Sequence, residues 1–271
     1  MIANARMYAV TPAVADHWHA VFAWVAEAAD VPLDAVPHPP PQPLDALWRR
    51  PDLGSAFMCG YPWATWADAG TRPVPVACVV PMPSRYGHGA AYCTDIVSRA
   101  DAAIEDLADL AGKRFAYTTP MSQSGYQAPR ALFAARAAAR GGHAFAATVG
   151  PLTTPRNVVN ALLEGTADAG PLDGYWHDLL RRHEPETAAQ LRTLASTPMT
   201  ASPPLVCAAG VAPAVRERIA AAWRAAGTAP ALAAVCDALL ISRFAAPDPA
   251  GYRALAERAL ELDRHDYRTL Q

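Results

Sequence analysis

Short strand-like apolar runs alternate with longer runs of helical periodicity along nearly the whole chain, and they do so in two sets. No other feature constrains the fold as tightly. Strands and helices in strict alternation close most readily into parallel sheets covered by helices on both faces. In the first set, Arg6–Val10 reads as a strand. A helix over Pro12–Ala29 follows, with Trp18, Val21, Phe22 and Val25 on one face. After a proline-dense loop come a short helix, Leu44–Arg50, a buried strand, Gly54–Cys59, and a turn into the helix carrying Trp63 and Trp66. Val74–Val80 and Ala90–Ser98 complete it as strands.

The second set starts near Asp101. It predicts a helix over Ala102–Leu110, a strand over Lys113–Thr118 and a helix over Arg130–Arg140, stopped by Gly141 and Gly142. A strand Ala144–Val149, a helix Pro155–Glu164, a strand Ala167–Asp173, a helix through Trp176 and a strand Leu191–Ala195 follow. Beyond a proline-rich passage, a strand Leu205–Val211 and helices from Pro213, Pro230 and Pro249 finish the chain. The expected architecture is α/β with two lobes, each a mostly parallel sheet flanked by helices. Lobe one takes residues 1–98 plus 200–271, and lobe two, 99–199, is inserted into it. The chain would cross near 96–101 and 196–203, and a ligand would sit in the cleft between lobes, at the carboxyl ends of strands.

Composition removes several function classes. The 271 residues carry a net charge of -2, with one lysine, Lys113, among 23 basic residues. No basic stripe is present to neutralise phosphates, so nucleic-acid binding is not expected. The five cysteines (Cys59, Cys78, Cys93, Cys207, Cys236) form no CxxC pair and lack a histidine at metal spacing, so neither metal nor cofactor is expected. Four of them lie in strand-like apolar runs, where a cysteine acts as a small hydrophobe. No apolar run approaches the length of a membrane span, and the N-terminal residues lack the apolar core of a signal peptide.

One segment carries chemistry. Between the strand ending at Thr118 and the helix at Arg130 lies Thr119-Pro120-Met121-Ser122-Gln123-Ser124-Gly125-Tyr126-Gln127-Ala128-Pro129. A strand feeding a helix through a Ser- and Gly-rich turn leaves backbone N–H groups unpaired at the helix start, where the dipole also favours an anion. The Ser122 and Ser124 hydroxyls can add donors. An ordinary N-cap uses the same residue types, and the turn alone does not separate the two.

The string Asp106–Tyr117, then Ser122-Gln123-Ser124-Gly125-Tyr126 and Pro129, resembles the phosphate/phosphonate-binding proteins of ABC importers, which have the type 2 periplasmic-binding-protein fold. The resemblance takes in Tyr92-Cys93-Thr94-Asp95-Ile96-Val97 and Glu164–Asp173, and the Cys59-Gly60-Tyr61-Pro62 turn is similar to one branch of that family. It implies that Ser122, Gln123, Ser124, Gly125 and Tyr126 hold an oxyanion, that Tyr92 and Tyr61 supply phenols, and that Asp173 lies across the cleft. There Asp173 would accept a hydrogen bond from a protonated ligand oxygen or a ligand amine; as plain structure it would cap the following helix. Tyr8 is a further candidate, or simple packing. Where many members carry a ligand-contacting histidine, this chain has Leu152. Thr153, Thr154 or Arg156 could replace it, or the pocket could take a larger, less charged molecule. Trp63, Trp66 and Trp176 would suit an apolar ligand part, or be core.

The function implied is a solute-binding protein that closes two lobes around a small phosphate- or phosphonate-like oxyanion and performs no chemistry, partnered by a membrane permease. Two alternatives stay open. One is a cytoplasmic enzyme on the same fold, of the kind found in menaquinone or thiamin-pyrimidine biosynthesis. The other is a ligand sensor. The resemblance implies a periplasmic location, whereas the missing signal sequence leaves a cytoplasmic one open. No acid–base pair or activated nucleophile stands out, with Cys59 at a helix start the one thiol to consider.

Overall fold

The computed structural model describes all residues from Met1 to Gln271, and they divide into two compact units. One unit comprises Met1–Ala91 and Ala201–Tyr252, the other Tyr92–Thr200 and Arg253–Gln271. The chain therefore changes unit at 91/92, at 200/201 and again at 252/253. Sequence placed the first change near 96–101 and kept 249–271 in the first lobe. The closing segment belongs instead with the second unit, because its apolar residues Tyr267 and Leu270 are buried in that unit's core.

The first unit holds a six-stranded sheet in the spatial order Ile241–Ala245, Val74–Pro81, Pro204–Cys207, Leu53–Phe57, Ile2–Asn4, Asp34–Ala35. The long helix Pro12–Ala29 begins where sequence put it: Thr11 caps it by accepting from the Val14 N–H at 3.1 Å. It ends at Asp30, whose left-handed backbone (φ 51°) turns the chain out of the helix. Its apolar face buries Trp18 and Phe22, with Trp18 edge-on to Phe57 at 5.0 Å and Phe22 edge-on to Trp223 at 5.6 Å. One prediction fails here, and one strand was not foreseen. The first strand is Ile2–Asn4, and Arg6–Tyr8 is a turn closed by the Tyr8 N–H on the Ala5 carbonyl. The edge strand Ile241–Ala245, which the sequence did not single out, pairs antiparallel with Val74–Pro81.

The second unit holds a five-stranded sheet, ordered Leu191–Ser196, Thr94–Arg99, Ala169–Asp173, Arg114–Ala116, Ala147–Val149. Arg114–Ala116 runs parallel to both of its neighbours, as strand–helix–strand units require. Thr94–Arg99 is antiparallel to both of its own. Both sheets are thus mixed, where mostly parallel ones were expected. The parallel rule governs strands joined by a crossover within one sheet; Thr94–Arg99 and Leu191–Ser196 are not joined that way.

The helix predicted over Ala102–Leu110 does not form. Asp109 accepts from the Glu105 N–H at 2.8 Å, and Asp106 accepts from the Ala108 N–H at 2.5 Å. Side-chain carboxylates here take the backbone donors that a helix would use. Under the sheet, Phe115 stacks on Phe145 at 4.4 Å and meets Phe133 edge-on at 5.3 Å, fixing the helix Ala128–Ala138 against its strands. No single helix is long and apolar enough to cross a membrane.

Candidate functional site

The Ser-Gly turn lies at the carboxyl end of the strand Arg114–Ala116. Residues Gln123–Gln127 form one wide turn of π-helix that runs into the helix Ala128–Ala138. Ser122 caps it, its hydroxyl oxygen accepting from the Gly125 N–H at 2.9 Å. The Thr118 N–H donates to the Gly125 carbonyl at 3.2 Å, and the Thr94 hydroxyl donates to the Ser124 carbonyl at 3.1 Å. Gly125 is obligatory at this point. A methyl group there would lie 1.9 Å from Thr118 Oγ1 and 2.9 Å from Ser122 Oγ.

Two polar atoms around this turn are buried with no hydrogen-bond partner: Thr118 Oγ1 and Gln123 Oε1. Their residues are only 4% and 5% exposed. Leaving such groups unpaired costs about 1–3 kcal/mol each. Sequence singled out Gln123 and missed Thr118, which it took for the end of a strand; the signal available was a hydroxyl residue at the strand's end, four positions before Ser122.

The sheet brings other candidates to the same place. Asp173 ends the strand Ala169–Asp173 and faces Thr94 in the ladder, the residue that holds the Ser124 carbonyl. Its Oδ1 accepts from the N–H groups of Tyr175 (3.0 Å) and Trp176 (3.1 Å), so it caps the helix Gly174–His183, the structural role sequence had allowed it. Thr153 is exposed, has a left-handed backbone (φ 69°), and donates its N–H to the Thr118 carbonyl at 2.9 Å. Next to it, Thr154 caps the helix Pro155–Leu163 through the Asn157 N–H at 3.1 Å. Three helices therefore start beside the carboxyl ends of three mutually parallel strands, and their dipoles all favour negative charge there. Tyr92 is buried at the head of the same unit, in the strand Ala91–Tyr92.

Other candidates have different duties. The Tyr126 hydroxyl accepts from the Leu270 N–H at 3.0 Å, and its ring meets Tyr117 edge-on. Arg156 forms a two-pronged pair with Glu184 (2.7 and 2.8 Å) and lies over the Trp176 ring. Tyr8, in the first unit, is 2% exposed and edge-on to Phe57 at 4.8 Å, a packing role. Tyr61, in the same unit, is half-buried in the helix Gly60–Ala64. Trp63 and Trp176 are buried, with Trp63 donating to the Pro73 carbonyl at 2.8 Å, while Trp66 is half-buried under Arg49. Cys59 is buried at the start of that short helix.

Sequence also missed the cluster beneath the site. Asp95, fully buried in the strand Thr94–Arg99, accepts from His177 Nδ1 at 2.8 Å and from the Ser196 hydroxyl at 2.6 Å. Burial pushes the His177 imidazole below its ordinary value, and the Arg181 charge adds to this, while the Asp95 hydrogen bond opposes both. The pair ties the helix that Asp173 caps to the strand that holds the turn. No group of three metal-ligating side chains converges anywhere in the chain.

The fold is the two-lobed type 2 periplasmic-binding-protein fold. A binding-protein component of an ABC phosphonate transporter from Pseudomonas aeruginosa superposes with a TM-score of 0.77 at 18% identity, over 98% of this chain and 87% of its own. PhnD1 from Prochlorococcus marinus, solved with methylphosphonate, superposes at 0.73 and 16% identity, over 97% and 98%. The alkanesulfonate-binding protein SsuA from Xanthomonas axonopodis pv. citri, solved with MOPS, gives 0.60 and 20%, over 99% and 94%. Among curated protein sequences, none matches this chain. Residues 9–252 match the family of periplasmic substrate-binding proteins of phosphonate ABC transporters, and the chain belongs to that family.

Proposed function

We propose that this protein binds a small phosphorus oxyanion, a phosphonate or phosphate, at the Ser122–Gly125 turn and delivers it to the membrane permease of an ABC importer. One observation carries the proposal: the buried, unpartnered Thr118 Oγ1 and Gln123 Oε1 around a helix-initiating turn. Polar groups left in that state call for a partner that the protein itself does not supply. The Ser122 and Ser124 hydroxyls and the turn's N–H groups would hold ligand oxygens, Thr118 would donate its hydroxyl proton to another, and Gln123 Oε1 would accept from a protonated ligand oxygen. Thr153 and the Tyr92 phenol are proposed as flanking contacts. Asp173, committed through Oδ1 to its helix, would act mainly by fixing the strand beside the turn. All of these residues belong to the second unit, and Tyr8, packed in the core of the first, is left out.

A thermal-shift series tests this with phosphate, methylphosphonate, sulfate and small carboxylates as probes. A ligand that binds only the native state raises the melting temperature with its concentration. The expected result is a concentration-dependent rise with methylphosphonate or phosphate. No rise with any phosphorus oxyanion overturns the ligand class and leaves the fold untouched.

A further inference from the structure

The proposed anion turn is not held by its own residues alone. Gln127, its last residue, donates from Nε2 to the Pro120 carbonyl at 2.8 Å and so closes the loop that leads into the turn. Its Oε1 accepts from Arg130 Nη1 at 3.1 Å. Arg130 is 2% exposed, and the rest of its guanidinium faces the segment 263–271: Nε donates to the Tyr267 carbonyl at 2.8 Å, and Nη2 reaches that carbonyl and the Asp263 carboxylate. The same segment takes hold on the other side, where the Leu270 N–H donates to the Tyr126 hydroxyl at 3.0 Å. It is anchored beyond the turn as well, since the Gln271 carbonyl accepts from the Ala144 N–H at 2.8 Å. Tyr267 and Leu270 share one apolar cluster with Tyr126 and Phe133.

We propose that residues 263–271 are a positioning element for anion binding, acting through Arg130 and Gln127 on one side and Tyr126 on the other. This rests on the turn being the ligand site. Arg130 is a positioning residue in this scheme: its donors are committed within the protein, so its charge does not meet the ligand. The commitment has a physical rationale. A single π-turn is a rare departure from the α-helix, found frequently at functional sites, and its N–H groups keep one aim only when the flanking residues are fixed from outside. A buried guanidinium with its charge-assisted bonds supplies that fixation at one end, and a buried phenol at the other.

The test compares wild type with Tyr126→Phe, which removes one hydroxyl, and Arg130→Gln, which removes the fork. Amide hydrogen exchange of the ligand-free proteins should quicken about tenfold across Gln123–Gln127 in both variants, the equivalent of one lost bond, and stay unchanged in the strand Val74–Pro81. Calorimetry with methylphosphonate should show affinity down about tenfold in Arg130→Gln. Combined with Ser124→Ala, the two losses should fall short of additive, as expected for residues acting through one turn. Unchanged exchange across the turn in both variants overturns the positioning role. If Arg130→Gln fails to fold, Tyr126→Phe decides by the same criterion. Because exchange is read without ligand, it judges this proposal even where wild type binds no phosphorus oxyanion, an outcome that counts against the proposed function alone.

Discussion

A single missing side chain allows the turn to exist. Gly125 sits so close to Thr118 that a β-carbon would overlap the threonine hydroxyl, at 1.9 Å, and the neighbour cannot yield easily because the Thr118 N–H is bonded to the Gly125 carbonyl. Gly125→Ala is therefore expected to destabilise the protein by roughly 1–3 kcal/mol, the usual range for overpacking, and to disturb the Ser122 cap. Chemical denaturation measures the first effect; unchanged stability would mean that the contact is relaxed in solution. The turn was legible in sequence because everything that identifies it lies within a few residues: hydroxyls, a glycine and the helix that follows. The second duty of Tyr126 was not legible, for the opposite reason. Nothing local says that its hydroxyl meets an N–H 144 residues further along.

At the scale of elements, local pattern located most helices and strands, and distant partners decided the exceptions. The helix Pro12–Ala29 and the start of Pro155–Leu163 each carry a threonine cap and a proline in the first turn, signals that need no tertiary context. The segment Ala102–Leu110 has helical composition, but Asp106 and Asp109 turn their carboxylates onto nearby N–H groups. The link between the strand Thr94–Arg99 and the helix Gly174–His183 was out of reach too, because Asp95 and His177 are 82 residues apart. That link predicts a pH dependence. Facing His177 are Asp95, Asp178 and Arg181, and burial with the Arg181 charge sets the balance, holding its folded-state pKa below the ordinary 6.5. In the window below 6.5 the unfolded chain takes up this proton and the native state does not, so stability falls as pH drops through it. Melting temperatures taken from about pH 7.5 to about pH 5.5 should decline more steeply in wild type than in His177→Gln, which has no such proton to gain. Parallel declines would remove His177 as the source.

Across the whole molecule, the α/β alternation in two sets carried over into two compact units, yet the chain's path through them differs from the simple insertion that sequence implied. The strands that enter a sheet without a crossover run antiparallel, and residues 253–271 join the second unit, whose core takes up Tyr267 and Leu270. Family membership follows from a match over residues 9–252. The proposed chemistry rests on a smaller set: three helix starts, two serine hydroxyls, and the buried, unpartnered Thr118 Oγ1 and Gln123 Oε1. Calorimetric titration of methylphosphonate into wild type and Ser124→Ala tests that set most directly. Binding should saturate at one ligand per chain, and the substitution should weaken it by roughly 1–2 kcal/mol, the worth of one charge-assisted hydrogen bond, with the melting temperature of the free protein unchanged. Equal affinity in the two proteins, or no heat of binding in wild type, would contradict the assignment of the turn as the anion site.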